Sequence, residues 1–255
     1  MEQVDPALWI FFFSLLSLYI SFKAVKKIFF EEFNKFKASK KHFFNFEKVK
    51  SQFKSKKNES IQKGDEGERK LAIILKKIFG KDKVFANLYI EKRVNVFSQI
   101  DVVLLHPSGI IVFEVKNYSG WVLGDGKARM WTKILGYGNE RFHFYNPVFQ
   151  NEGHIRAIRS QLQDKDIDIP IYSVIVFDGE CVLKNISNIP KNTYVIYLKD
   201  TVSFLRKFLK EHNKVKYDDV NIAKLFRKNV RNSHKREIVK KHLKQVKVLQ
   251  KNNKS

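Results

Sequence analysis

Two carboxylates and one lysine lie within two apolar runs of the sequence. Asp101 interrupts the run QIDVVLL, and Glu114 and Lys116 end the run IIVFEVK. Strand side chains alternate between faces with a period of two, so Glu114 and Lys116 point to one face. If the two runs pair across the turn at residues 107–109, Asp101 lies beside Glu114. The spacing therefore predicts a cluster of two carboxylates and one ammonium group.

This cluster suggests metal chemistry. Two close carboxylates repel each other unless a cation lies between them. Oxygen ligands suit Mg²⁺ or Mn²⁺, which keeps several waters and takes its remaining ligands from a phosphodiester. Lys116 can position or deprotonate the attacking water, or offset charge in the transition state. The interpretation is a metal site at Asp101 and Glu114, and the alternative is an ion pair at the end of a strand.

The acidic-x-Lys pattern alone has little specificity. It also occurs at Glu68 with Lys70 and at Asp125 with Lys127. Only Glu114 ends an apolar run that follows, across a short turn, another apolar run containing an acid. The context of Glu114, rather than the tripeptide, therefore favours a site at this position.

Hydrophobic periodicity predicts the elements that position this cluster. Residues 64–68 (GDEGE) open a predicted helix whose acids suit the helix dipole, and a second helix follows Pro147. A basic amphipathic stretch is predicted near the C-terminus, with Val239, Leu243, Val246 and Leu249 on one face. The order helix, three or more strands, helix, strand indicates an α/β fold. The predicted strands are 84–90, 99–106, 110–116, 121–123, 128–134, 171–177 and 194–198.

Four motifs follow one another along the chain: GDEGE at 64–68, QID at 99–101, EVKNYSG at 114–120 and NPVFQN at 146–151. In this order they resemble the NERD (nuclease-related) domain, a branch of the PD-(D/E)XK phosphodiesterase superfamily. The resemblance covers about residues 61–163. It implies a restriction-endonuclease-like αβββαβ core with a mixed sheet.

The same resemblance implies roles for single residues. Asp101 and Glu114 become metal ligands, Lys116 the catalytic lysine, and Glu68 and Gln150 assisting residues of the same site. Glu68 can bind a metal through water, and a glutamine amide can hydrogen-bond a phosphate oxygen. The alternatives are compensation of the helix dipole for Glu68 and a place beside a helix cap for Gln150.

Other chemistries find little support in the sequence. The single cysteine, Cys181, excludes an intramolecular disulfide and a cysteine-based zinc cluster. Neither a dinucleotide fingerprint nor a P-loop is present. The seven histidines show no close ligand spacing, so His106, His143 and His154 are interpreted as structural or solvated.

The formal charge of +23 is concentrated in two flanks. Residues 23–57 carry a net charge of +9 and residues 206–255 one of +13, whereas residues 58–205 carry only +3. The basic C-terminal helices can hold a nucleic-acid backbone, or they are a solvated or lipid-facing region. The interleaved lysines and phenylalanines of residues 23–57 suggest contact with anionic lipid, and a solvated helical spacer is the alternative.

Residues 7–22 form an uncharged apolar run behind Pro6. With Lys23 snorkelling, a helix through Val25 rises about 28 Å, close to the thickness of a hydrocarbon core. A signal peptide lacks support because no basic region precedes the run, and a buried core helix is the third reading. Positive charge follows the run, so the sequence predicts a single-pass anchor with its N-terminus outside and the following domain in the cytoplasm.

The predicted organisation is an anchor at 1–25, a basic juxtamembrane segment at 26–60, a nuclease-like domain at 61–200 and a basic helical region at 201–255. The leading functional hypothesis is a membrane-anchored nuclease that needs Mg²⁺ or Mn²⁺ and cleaves DNA or another nucleic acid. The alternatives are a non-catalytic module that binds nucleic acid or protein at the membrane, and an adaptor whose basic segments engage lipid.

Overall fold

A computed structural model describes residues 58–135, 140–163, 167–212, 214–215 and 217–252. The predicted anchor and most of the juxtamembrane segment, through residue 57, lie outside the described residues. Among the helices that the structure describes, none combines the length and the apolar character needed to cross a membrane.

The first described helix, α1, spans Asn58–Phe79. The predicted start at Gly64 is therefore wrong: the acids of the GDEGE motif lie inside the helix, so Glu68 does not compensate the dipole of a first turn. The glycines suggested a boundary, but Gly67 instead lets the helix approach the sheet closely. Leu71 and Leu75 are fully buried, whereas Ile78, predicted on the same face, is half exposed.

The main sheet has five strands in the order β1-β2-β3-β7-β9. The pairs β1–β2 and β2–β3 are antiparallel, and β3–β7 and β7–β9 are parallel. Helix α2 spans Pro147–Gln163 and connects the parallel strands β3 and β7, as such crossovers require. The predicted mixed sheet is therefore present. Its strands are β1 Val84–Arg93, β2 Val96–His106, β3 Gly109–Asn117, β7 Ile171–Asp178 and β9 Thr193–Tyr197.

A second sheet has four strands in the order β6-β5-β4-β8. The hairpin of β4 and β5 was predicted, but β6 and β8 were not. Strand β6 reads ERFHFY and is mostly exposed, and β8 reads CVLKNIS with only Cys181 buried. Neither presents the alternating buried face by which a strand is recognised. The strands are β4 Gly120–Asp125, β5 Met130–Leu135, β6 Glu140–Tyr145 and β8 Cys181–Ser187.

Helices cover both faces of the main sheet. One core cluster lies under α2 and α4, and a second lies under α1 and α3. The C-terminal helices therefore contribute to the core, through residues such as Phe208 and Phe226. These helices are α3 Thr201–Glu211, α4 Asp219–Asn232 and α5 Arg236–Asn252.

Helix α5 packs beside the start of β2. The Nδ1 atom of His242 lies 3.0 Å from the carbonyl oxygen of Phe97, and Gln245 donates a hydrogen bond to the carbonyl oxygen of Asn95. The predicted apolar face is partly wrong, because Leu243 is half exposed. Polar contacts of His242 and Gln245 fix this helix. The periodicity of apolar residues cannot detect such contacts.

Candidate active site

The β2–β3 hairpin brings the two predicted carboxylates together. Val102 pairs with Phe113, so the next position along the hairpin sets Asp101 opposite Glu114. Both side chains are buried, with 8% and 1% of their surface exposed. The juxtaposition predicted from the alternation of strand residues is therefore present in the fold.

Few groups stabilise the negative charge of the Asp101 carboxylate. The backbone N–H of Val115 donates to its Oδ2 over 2.9 Å. Burial and the negative charges of Glu114 and Glu68 raise the pKa of Asp101 well above its usual range, against the smaller effects of Lys116 and the Val115 hydrogen bond. Among the described residues, the nearby ammonium group of Lys116 forms its ion pair with Glu114 rather than with Asp101.

Glu114 has polar partners on both of its carboxylate oxygens. Lys116 donates a hydrogen bond from Nζ to Oε1, and His154 Nε2 lies 3.1 Å from Oε2. Burial disfavours the charge of Glu114, but Lys116 and His154 together outweigh it and lower the pKa of Glu114. Both acids are buried to a similar extent. The pKa values of the two acids thus differ because their partners differ.

Lys116 links the strand to helix α2. Its Nζ also donates to Oε1 of Gln150 over 3.1 Å. Burial opposes the charge of Lys116, yet Glu114 and the other nearby negative groups raise its pKa above the ordinary value. Lys116 is therefore held as a cation between a carboxylate and an amide oxygen.

His154 is a site residue that the sequence reasoning missed. It was interpreted as structural or solvated, but it is buried and joins Glu114 to Ser98, whose Oγ lies 2.7 Å from Nδ1. Gln150 and His154 are four positions apart on α2 and therefore project from one face. This spacing was the available signal, and it gains meaning only once Gln150 is placed at the site.

Glu68 approaches the site from α1. It is half-buried, and its negative charge is close enough to raise the pKa of Asp101. Gly67 makes this approach possible, because a Cβ there would lie 3.1 Å from Cγ1 of Val115. All five residues predicted for the site are thus brought into one region of the fold.

Asn146 and Asn151 of the NPVFQN motif have structural contacts. The amide of Asn146 donates to the carbonyl oxygens of Asp125, Gly126 and Ala128, while its Oδ1 accepts from the backbone of Val148 at the start of α2. Asn151 donates to Val112 of β3 and to Ser173 of β7. These bonds fix α2, and with it Gln150 and His154, over the sheet.

The lysines of the other two acidic-x-Lys patterns have different partners. Lys70 pairs with Asp178 at 3.0 Å and with Glu66 at 3.5 Å on the surface. Asp125 lies in an exposed turn, where it accepts from the backbone of Lys127. Of the three patterns, only Glu114–Lys116 contains a buried acid, and that acid lies beside the buried Asp101.

The donor set suits a hard divalent cation. Carboxylate oxygens are the ligands that Mg²⁺ and Mn²⁺ prefer, and Mg²⁺ is commonly held by one or two carboxylates together with water and phosphate. A cation beside Asp101 would also offset the repulsion that raises its pKa. Among the described residues, no group of three or more His, Cys, Asp or Glu side chains could hold a metal ion. A metal at Asp101 and Glu114 would therefore take its remaining ligands from water or from a phosphate.

Comparison with known proteins agrees with the motifs. The nuclease-related domain family matches residues 63–178. An uncharacterised protein of Bacillus anthracis is 30% identical over 184 residues, which cover 71% of this chain and 82% of that protein. No solved structure matches the chain. The chain belongs to the nuclease-related (NERD) domain family, as its four motifs predicted.

Proposed function

We propose that this protein is a nuclease that hydrolyses phosphodiester bonds with Mg²⁺ or Mn²⁺. The observation that carries the proposal is the pairing of Asp101 with Glu114, with Lys116 on the same face of the sheet. Membership of a nuclease-related family supports the same reaction class.

Asp101 and Glu114 would hold the metal. When bound, the ion supplies Lewis acidity and a more acidic water. Lys116, whose pKa is raised, acts as a cation that donates hydrogen bonds and offsets negative charge on a phosphate, rather than as a base. Gln150 positions the ammonium group of Lys116, and Glu68 adds a carboxylate that can orient water at the edge of the site.

The proposed substrate is DNA or another nucleic acid. No base-reading element was identified in the sequence, so contacts with the sugar–phosphate backbone would position the strand. The basic helices of residues 206–255, with a net charge of +13, provide attraction for such a polyanion.

A cleavage assay tests this function. The full chain is incubated with labelled single-stranded and duplex DNA and with RNA, in Mg²⁺, Mn²⁺ or EDTA. We expect metal-dependent cleavage that falls by about 100-fold or more in Asp101→Asn and in Lys116→Ala. Lys127→Ala is the matched control, because Lys127 belongs to an acidic-x-Lys pair outside the site. Equal activity in all four proteins would contradict the assignment.

A non-catalytic module is the second candidate. It is favoured by the partners of Glu114, since Lys116 and His154 already occupy both of its oxygens. In that case Lys116 remains a structural counter-ion, and the fold binds nucleic acid or protein without turnover. Binding of DNA without cleavage under every divalent ion would select this candidate.

We also propose that residues 7–25 anchor the protein in a membrane, with the N-terminus outside and the nuclease-like domain in the cytoplasm. Support comes from the uncharged run at 7–22 and the lysines behind it, which in residues 23–57 can contact anionic lipid. The chain should stay in the membrane pellet after carbonate extraction, and removal of residues 1–25 should release it. Extraction of the full chain by carbonate would contradict an anchor.

A further inference from the structure

The site face of α2 carries a small residue beside its two functional side chains. Gly153 follows Gln150 by three positions, so these two residues are neighbours on one face of the helix, and Gly153 directly precedes His154. A Cβ at Gly153 would lie 3.6 Å from Nζ of Lys92 and 3.7 Å from Nη2 of Arg156. Two cationic groups from different elements therefore meet above a glycine. We call Lys92, Arg156 and Gly153 the basic notch.

The backbone directs Lys92 into this position. The register of β1 against β2 shifts between Glu91 and Arg93, so Lys92 occupies a bulge near the end of the strand. Bulges redirect a side chain that would otherwise follow the alternation of the strand. The bulge thus supplies one cation of the notch, and helix α2 supplies the other.

The notch has an excess of positive charge. Within the described part of the chain, Lys92 makes no ion pair, and Arg156 has only a long contact of 3.8 Å with Glu152 on the surface. Burial and the charge of Arg156 lower the pKa of Lys92. Burial, with smaller effects of His154 and Lys92, lowers the pKa of His242 on α5 against the hydrogen bond to the carbonyl oxygen of Phe97. Lys92 and Arg156 repel each other, and an anion between them would offset this repulsion.

We propose that the basic notch binds a phosphate of the nucleic-acid strand, next to the phosphate that lies at Asp101 and Glu114. This inference rests on the proposed function. The two places are adjacent because His154, which contacts Glu114, follows Gly153 directly in α2. A phosphodiester presents the paired oxygens that lysine and arginine bind, and it carries no base identity. The notch therefore orients the strand without selecting its sequence.

The test measures binding separately from cleavage. Fluorescence anisotropy of labelled single-stranded and duplex oligonucleotides is recorded for the full chain in EDTA, over a series of salt concentrations. We expect Lys92→Ala/Arg156→Ala to weaken binding by about tenfold and to reduce the slope of log affinity against log salt by about 1. Gly153→Glu, which keeps both cations but places a carboxylate between them, should have a similar effect.

The matched control removes the same charges elsewhere. Arg141→Ala/Lys191→Ala deletes one arginine and one lysine, both exposed, from β6 of the second sheet and from the turn before β9. Its affinity should stay within about twofold of the unchanged protein, because unspecific charge is screened by salt. Equal losses in the two double variants, or no loss in either, would overturn the proposal.

Two further outcomes separate this proposal from the proposed nuclease function and from binding to a membrane surface. A chain that binds through the notch but cleaves under no divalent ion would contradict the nuclease and retain the notch. If the notch variant binds oligonucleotides normally but loses binding to phosphatidylglycerol vesicles, the notch serves a membrane surface and the proposal is wrong.

Discussion

The acids at the centre of the site have opposite pKa shifts although they are neighbours. Burial raises the pKa of Asp101, while Lys116 and His154 overcome burial and lower that of Glu114. One charged carboxylate thus weakens the fold while the other is stabilised by its partners. A site that destabilises the folded state is expected where chemistry, rather than packing, has placed the residue.

This difference predicts the effect of Asp101→Asn on stability. The folded pKa of Asp101 lies above its unfolded value. The cost of its charge to stability therefore grows as the pH rises above the unfolded pKa, and it is complete once the pH exceeds the folded pKa. The amide keeps the shape, accepts the Val115 hydrogen bond and stays neutral. We expect the free energy of unfolding at pH 7 to rise by about 1 kcal/mol.

Urea denaturation at several pH values checks this effect. The gain should shrink as the pH falls through the raised pKa, because protonated Asp101 is also neutral there, and should vanish below the unfolded pKa. A stability gain that stays constant with pH, or a loss at pH 7, would contradict the assigned shift.

His154 is predicted to position Glu114 for metal binding. His154→Ala should weaken Mn²⁺ affinity by about tenfold, as loss of a residue that orients a ligand generally does. His154→Gln should restore part of it, because its amide can donate to Oε2. His143→Ala, on exposed strand β6, is the control and should leave the Mn²⁺ affinity unchanged. Failure of glutamine to improve on alanine would argue against positioning.

At the scale of elements, the sequence predicted the strands that consist of buried apolar runs. It missed the strands and the site residue whose placement depends on other contacts. Strands β1, β2, β3 and β7 were recognised by runs whose residues are buried. Strands β6 and β8 were missed because few of their side chains are buried. The role of His154 depends on tertiary contacts with Glu114 and Ser98, which no local pattern contains. Gln150 was predicted only through the family resemblance.

Two helix glycines offer a test of how α1 reaches the sheet. Alanine is favoured over glycine in a helix by about 0.5–1 kcal/mol. At Gly153 a Cβ meets only ordinary contacts, so Gly153→Ala should raise the free energy of unfolding by that amount. At Gly67 it would crowd Val115 at 3.1 Å.

In urea denaturation, the free energy of unfolding of Gly67→Ala should therefore lie about 1–2 kcal/mol below that of Gly153→Ala. Displacement of Glu68 should also reduce cleavage in the Gly67 variant. Equal stability gains at both glycines would show that α1 can shift from β3 without cost.

Across the whole molecule, a buried aromatic pair joins the two sheets. Trp131 of β5 is 1% exposed and stacks on Phe177 of β7, with ring centroids 6.2 Å apart. Its indole N–H donates to the carbonyl oxygen of Asp125 over 2.9 Å. The second sheet is thereby fixed to β7, the strand that follows α2. The packing of the second sheet therefore stabilises the main sheet, which carries the site.

Trp131→Ala should lower the free energy of unfolding by about 3–5 kcal/mol, because it leaves a large cavity between the sheets. Trp121 of β4 is half exposed, so Trp121→Ala should change the free energy of unfolding by no more than about 0.5 kcal/mol. Urea denaturation followed by circular dichroism compares the two variants. Similar losses in both would mean that Trp131 does not join the sheets as described.

The central claim, a divalent metal held by Asp101 and Glu114, is tested most directly by calorimetric titration of the full chain with Mn²⁺. The titration is run with and without a phosphorothioate oligonucleotide, and Asp101→Asn is measured beside the unchanged protein. We predict that the unchanged protein has one Mn²⁺ site that the variant lacks. Identical isotherms for the two proteins under both conditions would contradict the metal site and leave the non-catalytic module as the better account.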